Sequence, residues 1–149
     1  MEWEYWNQQE EDIYFALKLE QRKLQIILER HFPYQGKKLK VIFCHFSPNN
    51  KNMGEAYSDK MLIKINKHYI MLHSLDEAID TLRHEYAHIF SYLNIGYVTI
   101  SRGEKTIDWQ HNKNWKKWCR YLGARPFAKA KILQKNLQIS EKGIKLQKN

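Results

Sequence analysis

The chain has 149 residues, seven histidines, two cysteines and a formal net charge of +9. A hydrophobic fraction of 43% argues against a disordered protein and suits one globular domain. No apolar run reaches the length of a membrane span, no secretory signal pattern begins the chain, and two distant cysteines suit a reducing compartment. We therefore expect a cytoplasmic protein.

A helix is predicted near residues 10–31, because apolar residues recur there at helical spacing, namely at Ile13, Leu17, Leu24, Ile27 and Leu28. Pro33 follows its end. Residues 39–46 alternate and are rich in β-forming residues, which predicts a strand.

Two further short strands are expected near residues 54–58 and 61–66, with a turn at Ser58 and Asp59. Short strands joined by such a turn favour a small, mostly antiparallel sheet. With helices before and after it, this sheet predicts an α+β fold.

Residues 75–94 form the clearest predicted helix. Ser74 and Glu77 have the spacing of a capping box at its start, and Gly96 stands at its end. The helix contains the sequence H-E-x-x-H, formed by His84, Glu85 and His88. Residues four apart share a helix face, so the two imidazoles can hold one metal ion while Glu85 serves as general base for a zinc-bound water.

Catalytic zinc usually takes a third protein ligand. The metzincin pattern would need glycine and histidine where this chain has Ser91 and Asn94, so that class is excluded. Glu104 and Asp108 are acidic candidates. We favour His111, which opens a predicted helix over residues 111–122 that Gly123 closes. The inward face of this helix carries Trp115, Trp118, Cys119 and Leu122.

Three sequence pieces resemble the SprT-like family of zinc metallopeptidases, which includes the eukaryotic Spartan proteases. They are the H-E-x-x-H motif, the segment from His111 to Trp115, and the hairpin region from Ala56 to Asn66. Asn112 departs from the glycine that the family usually has after the third histidine.

The resemblance implies a minimal zincin-like domain over residues 1–126, with Zn²⁺ on His84, His88 and His111 and with Glu85 as the base. In it, the sheet packs against the N-terminal helix, the active-site helix and the third-ligand helix. The resemblance also implies proteins attached to DNA as substrates.

Residues 127–149 are predicted to be a basic tail, and residues 124–149 carry a net charge of +6. Clustered lysines can bind DNA by releasing counterions from phosphates. The leading hypothesis is a zinc metallopeptidase acting on proteins. The alternatives are a DNA- or protein-binding regulatory module with a structural or inactive metal site, and a peptidase that cleaves a single partner.

Overall fold

The helices and strands occur in the order that the sequence predicts. The computed structural model describes residues 8–67, 74–95 and 113–126. The helices are α1 (Gln8–His31), α2 (Leu75–Ile95) and α3 (Lys113–Leu122), and the strands are β1 (Lys40–Cys44), β2 (Gly54–Tyr57) and β3 (Leu62–Asn66). Short 3₁₀ turns occupy Gly36–Lys38 and Ser58–Lys60. The expected α+β class is confirmed.

The three strands form one mixed sheet in the order β1-β3-β2. β2 and β3 are antiparallel, with Gly54 opposite Ile65, whereas β1 and β3 are parallel, with Lys40 opposite Leu62. The sheet thus differs from the mostly antiparallel one expected, because β1 pairs with a strand that is not its neighbour in the chain. The side-chain pattern within a strand shows which residues are buried, but it does not show this long-range pairing.

Helix α2 begins with the predicted capping box. The Glu77 carboxylate accepts a hydrogen bond from the Ser74 N–H, and the Ser74 hydroxyl accepts one from the Glu77 N–H, both at 3.2 Å. These reciprocal bonds satisfy two backbone donors at the helix end that have no partner within the helix. The start of the helix that carries the histidine motif is therefore fixed by local sequence.

The core forms around α2, which packs against α1, α3 and β2. Fully buried apolar side chains come from α1, α2, α3 and β3, and they include Leu24, Leu28, Ile63, Ile65, Leu82, Tyr86, Phe90 and Trp115. Helix α1 also reaches the sheet, where the ring centroids of Tyr14 and Phe43 are 5.3 Å apart. Because α2 is enclosed on several sides, the side chains of its motif have little freedom to move.

Helix α3 ends as its sequence predicts. Gly123 has a positive φ of 85° and donates to the Arg120 carbonyl, and the Ala124 N–H donates to the Cys119 carbonyl. This is a Schellman arrangement, which favours glycine at the left-handed position. The predicted inward face is confirmed, since the structure buries Trp115, Trp118, Cys119 and Leu122.

Other predicted features lie outside the described residues, namely Glu104, Asp108, His111 and the basic tail over residues 127–149. The domain boundary at residue 126 stays a prediction. None of the helices in the described ranges is long and apolar enough to cross a lipid bilayer.

The side chain of Arg83 links the three helices. The buried Glu20 of α1 accepts a hydrogen bond of 2.7 Å from Nε of Arg83 on α2. Nη1 of Arg83 donates to the Gly123 carbonyl just after α3, at 3.1 Å. Arg83 therefore holds the end of α3 against the helix pair α1 and α2.

We expect Arg83→Met to lower the free energy of unfolding by about 2 kcal/mol, because Glu20 would stay buried without its closest cation. The partial exposure of Arg83, and the Lys23 ammonium 3.7 Å from the same carboxyl, keep the loss below that of a fully buried pair. Urea denaturation followed by circular dichroism measures this loss.

The exposed Arg22 of α1 provides the control, and Arg22→Met should change the free energy of unfolding by less than about 0.5 kcal/mol. In a Glu20→Gln background, Arg83→Met should be less destabilising than in the wild type. If Arg83→Met lowers the free energy of unfolding equally in both backgrounds, the ion pair between Arg83 and Glu20 contributes nothing to stability.

Candidate metal centre

The three motif residues lie on the side of α2 that faces α3 and the edge strand β2. His84 is buried, with 7% of its surface exposed, and His88 is partly buried. Because the histidines are one helical turn apart, their side chains project in similar directions. The predicted pairing of the two imidazoles on one helix face is therefore compatible with the fold.

The indole of Trp115 on α3 contacts both imidazoles. Its ring centroid lies 5.4 Å from that of His84 and 5.2 Å from that of His88, and the latter pair is stacked. The indole N–H also donates to the His84 carbonyl at 3.3 Å. Both histidines thus face the first turn of α3, which begins shortly after His111 in the sequence.

One ring nitrogen of His84 is held by the segment that follows α3. Nε2 is hydrogen-bonded to the carbonyl oxygen of Arg125 and lies 3.4 Å from Oδ2 of Asp80. A carbonyl oxygen can only accept, so the ring nitrogen of His84 is the donor in this contact. Histidines that bind metals usually donate their other N–H to a carbonyl or carboxylate, and His84 fits this pattern.

Glu85 is partly buried and lies against β2. A Cβ atom added to Gly54 on β2 would lie 3.1 Å from both Cγ and Oε2 of Glu85, so the strand backbone touches this side chain. Burial raises the pKa of Glu85 to about 8, and the negative charge of Glu55 contributes to the rise. The protein environment therefore increases the proton affinity of this carboxylate, whereas a nearby cation would act in the opposite direction.

Glu55, on the same strand, has a different environment. Burial alone would raise its pKa, but hydrogen bonds from Asn50, Tyr57 and Asn52 and the charge of Lys64 outweigh burial and lower it. The donors lie at 2.8 Å for Asn50, 2.5 Å for Tyr57 and 3.0 Å for Asn52. Glu55 is thus held as a carboxylate near Glu85.

The structure places His84 and His88 against Trp115 and Glu85 against β2, but it does not describe a third ligand. In residues 8–67, 74–95 and 113–126, no three His, Cys, Asp or Glu side chains form a group that could hold a metal ion. His111, Glu104 and Asp108 lie outside these ranges. The choice of His111 therefore stays a prediction.

Sequence reasoning missed two residues beside the motif. Asp80 precedes His84 by one helical turn, and this spacing could have indicated that the two share a face. Gly54 carries no such signal, because its role depends on the approach of β2 to α2, which is a tertiary contact.

A sequence profile of the SprT-like family matches residues 21–142, which is most of the chain. The chain therefore belongs to the SprT-like family. The matched range begins within α1 and contains all the site residues discussed above, including His111. Comparison with curated proteins and with solved structures finds no match.

The close approach of β2 to α2 predicts that Gly54→Ala is destabilising. The new methyl group would lie 3.0 Å from Cγ2 of Thr81 and 3.1 Å from Oε2 of Glu85. We expect the free energy of unfolding to fall by about 1–3 kcal/mol, which is typical of overpacking. Chemical denaturation measures the change.

Thr81→Ser provides the matched background, because it removes the crowded methyl group and keeps the hydroxyl that donates to the Glu77 carbonyl at 3.0 Å. Gly54→Ala should be less destabilising in this background than in the wild type. If Gly54→Ala lowers the free energy of unfolding equally in both backgrounds, steric contact with Thr81 is not the cause of the loss.

Proposed function

We propose that this member of the SprT-like family is a zinc-dependent metalloendopeptidase. One observation carries the proposal. His84 and His88 both pack on Trp115, while Glu85, between them in sequence, packs against β2. Two imidazoles and a carboxylate are the groups that zinc-dependent hydrolysis requires.

The zinc ligands in this proposal are His84, His88 and His111. Imidazole nitrogen is a preferred ligand of Zn²⁺, and three protein ligands leave one position for water or substrate. The hydrogen bond from His84 to the Arg125 carbonyl supports its role, because histidines that bind metals usually donate their other ring N–H to a carbonyl or carboxylate oxygen.

Bound zinc supplies Lewis acidity, which acidifies water and polarises the scissile carbonyl. Glu85 accepts a proton from the attacking water on its carboxylate, and it then transfers this proton to the amine nitrogen as the C–N bond breaks. The contact of Glu85 with β2 restricts the orientation of its carboxylate.

The position of β2 supports a protein substrate. β2 is an outer strand of the sheet, pairs only with β3 among the described strands, and packs on α2 near Glu85. An extended polypeptide can add to such an edge through backbone hydrogen bonds, which would carry it past Glu85. The net charge of +9 further supports substrates that are associated with DNA, as the family resemblance implies.

Glu85→Gln should retain zinc and lower the rate of peptide hydrolysis by at least about 100-fold, because an amide cannot act as the general base. Cleavage of casein or histone, with and without single-stranded DNA, measures the rate. Zinc content of the same samples shows that the metal is retained.

Glu29→Gln is the matched control, since it makes the same chemical change at a partly buried position on α1 and should keep wild-type activity. Wild-type turnover by Glu85→Gln would refute the assignment of the base. A wild-type chain that holds zinc but cleaves nothing, with or without DNA, would instead favour the regulatory module.

Zinc at 100 times its dissociation constant should stabilise the wild type by about 2.7 kcal/mol, because it binds the folded state. His84→Ala, His88→Ala and His111→Ala should each remove this stabilisation. Thermal and chemical unfolding, with zinc added or removed by a chelator, measure it.

His45→Ala changes an exposed histidine after β1 and should leave the zinc effect intact. Should His111→Ala also leave it intact, the third ligand must be another residue, and Glu104 and Asp108 would be tested next.

A further inference from the structure

Glu55 is a charged side chain on the outer strand β2 that the proposed reaction does not use. Its Oε2 accepts hydrogen bonds from Nδ2 of Asn50 at 2.8 Å and of Asn52 at 3.0 Å, and its Oε1 accepts one from the Tyr57 hydroxyl at 2.5 Å. Burial raises the pKa of Glu55, but these donors and the charge of Lys64 outweigh burial and lower it. The carboxylate is therefore ionised at neutral pH and fixed in orientation.

The loop that supplies the two amide donors is itself held by the fold. The Asn52 N–H donates to Oδ1 of Asn50 at 3.0 Å, which closes a tight turn. The Asn52 carbonyl accepts a hydrogen bond of 2.9 Å from Nδ2 of Asn66, a β3 side chain that is 2% exposed. The donors around Glu55 are thus in position before any ligand binds.

Glu55 lies on the face of the sheet that points away from α2. A Cβ atom on the neighbouring Gly54 would meet side chains of α2, and side chains alternate between the two faces of a strand, so Glu55 and Tyr57 share the outer face. Lys64 of β3 is the cross-strand partner of Glu55, and its Nζ lies 5.4 Å from the centroid of the Tyr57 ring. Lys64 therefore flanks Glu55 on the β3 side. The other edge of β2 pairs with no strand in residues 8–67, 74–95 and 113–126.

The carboxylate of Glu55 has an acceptor position to spare. A carboxylate oxygen can accept two hydrogen bonds, and Oε1 accepts only the one from Tyr57 within the described part of the chain. The three donors are neutral, so they hold the carboxylate without cancelling its charge. A polypeptide that adds to the edge of β2 would place one side chain beside Glu55, because directly opposed residues in paired strands have Cβ atoms about 4.5–5.5 Å apart.

We propose that Glu55 forms a specificity subsite, which selects a lysine or arginine of the substrate at the position opposite Glu55 on the outer edge of β2. The inference rests on the proposed function, because it takes the substrate to be an extended polypeptide along β2. A cationic side chain there gains a charge-assisted hydrogen bond to Oε1. A substrate carboxylate at the same position is repelled. Glu55 thus determines which polypeptide is bound, while the bond is cleaved by other groups.

The first test measures peptide binding by fluorescence anisotropy with the full-length Glu85→Gln chain in the presence of Zn²⁺, so that the peptides stay intact. Short fluorescent peptides carry lysine, or the uncharged norleucine of similar shape, at each position in turn. We expect one position at which lysine binds about 10-fold more tightly than norleucine, as for a hydrogen bond to a charged group. Glutamate at that position should bind more weakly than either. Equal affinity of the lysine and norleucine peptides at every position would overturn the proposal.

Glu55→Gln in the same chain removes the charge and keeps an oxygen that accepts from the surrounding donors. The preference for lysine should fall to about twofold or less, while norleucine peptides keep their affinity within about threefold. Asp59→Asn is the matched control, because it removes the same charge from an exposed position just after β2 and should keep the full preference. Equal weakening of both peptides by Glu55→Gln, with the preference retained, would show a structural role only and would overturn the proposal. An equal loss of preference in Asp59→Asn would overturn it too.

A further measurement needs no substitution at Glu55. In the wild-type chain, kcat/KM for the lysine peptide should exceed that for the norleucine peptide by about 10-fold, and added salt should reduce this ratio by screening the charges. If the wild type cleaves peptides without any lysine preference, the subsite fails while the peptidase function stands. If Glu85→Gln binds lysine peptides selectively and the wild type cleaves none, the peptidase function fails while the subsite stands.

Discussion

The contact between Trp115 and α2 is the interaction on which the candidate site depends. The indole is 1% exposed, packs on both motif histidines, and donates to the backbone of one of them. An aromatic ring of this size fixes the separation and rotation of the two helices, because protein interiors tolerate few voids. It therefore contributes to the hydrophobic core and positions both imidazoles relative to α3.

The two glutamates near β2 show how one strand can create two electrostatic environments. Glu85 packs against the backbone of Gly54, where burial raises its pKa, while side-chain donors and a nearby lysine lower that of Glu55. Carboxyl groups whose pKa values are driven apart are suited to different roles. Glu55 keeps its negative charge, and that charge in turn favours protonation of Glu85.

Local sequence signals predicted the helices well. The capping box at Ser74, the glycine ending of α3 and the inward face around Trp115 all depend on residues close in the chain, and the structure confirms each. The parallel pairing of β1 and the approach of Gly54 to Glu85 were missed, because each depends on elements far apart in sequence. The motif predicted which residues of α2 carry the site, but the contacts of Asp80 required the end of α3 to be placed.

The mixed sheet also has a consequence for how the chain folds. β2 and β3 can form a hairpin by closing a short turn between Tyr57 and Leu62, which carries a small entropic cost. The parallel partner of β3 is β1, which lies before the hairpin in the chain and pairs Lys40 with Leu62. Non-local pairings of this kind raise contact order and slow folding. The strand β2, which lies beside Glu85, thus belongs to a hairpin of low contact order. We expect the docking of β1 to contribute most of the kinetic barrier to forming the sheet.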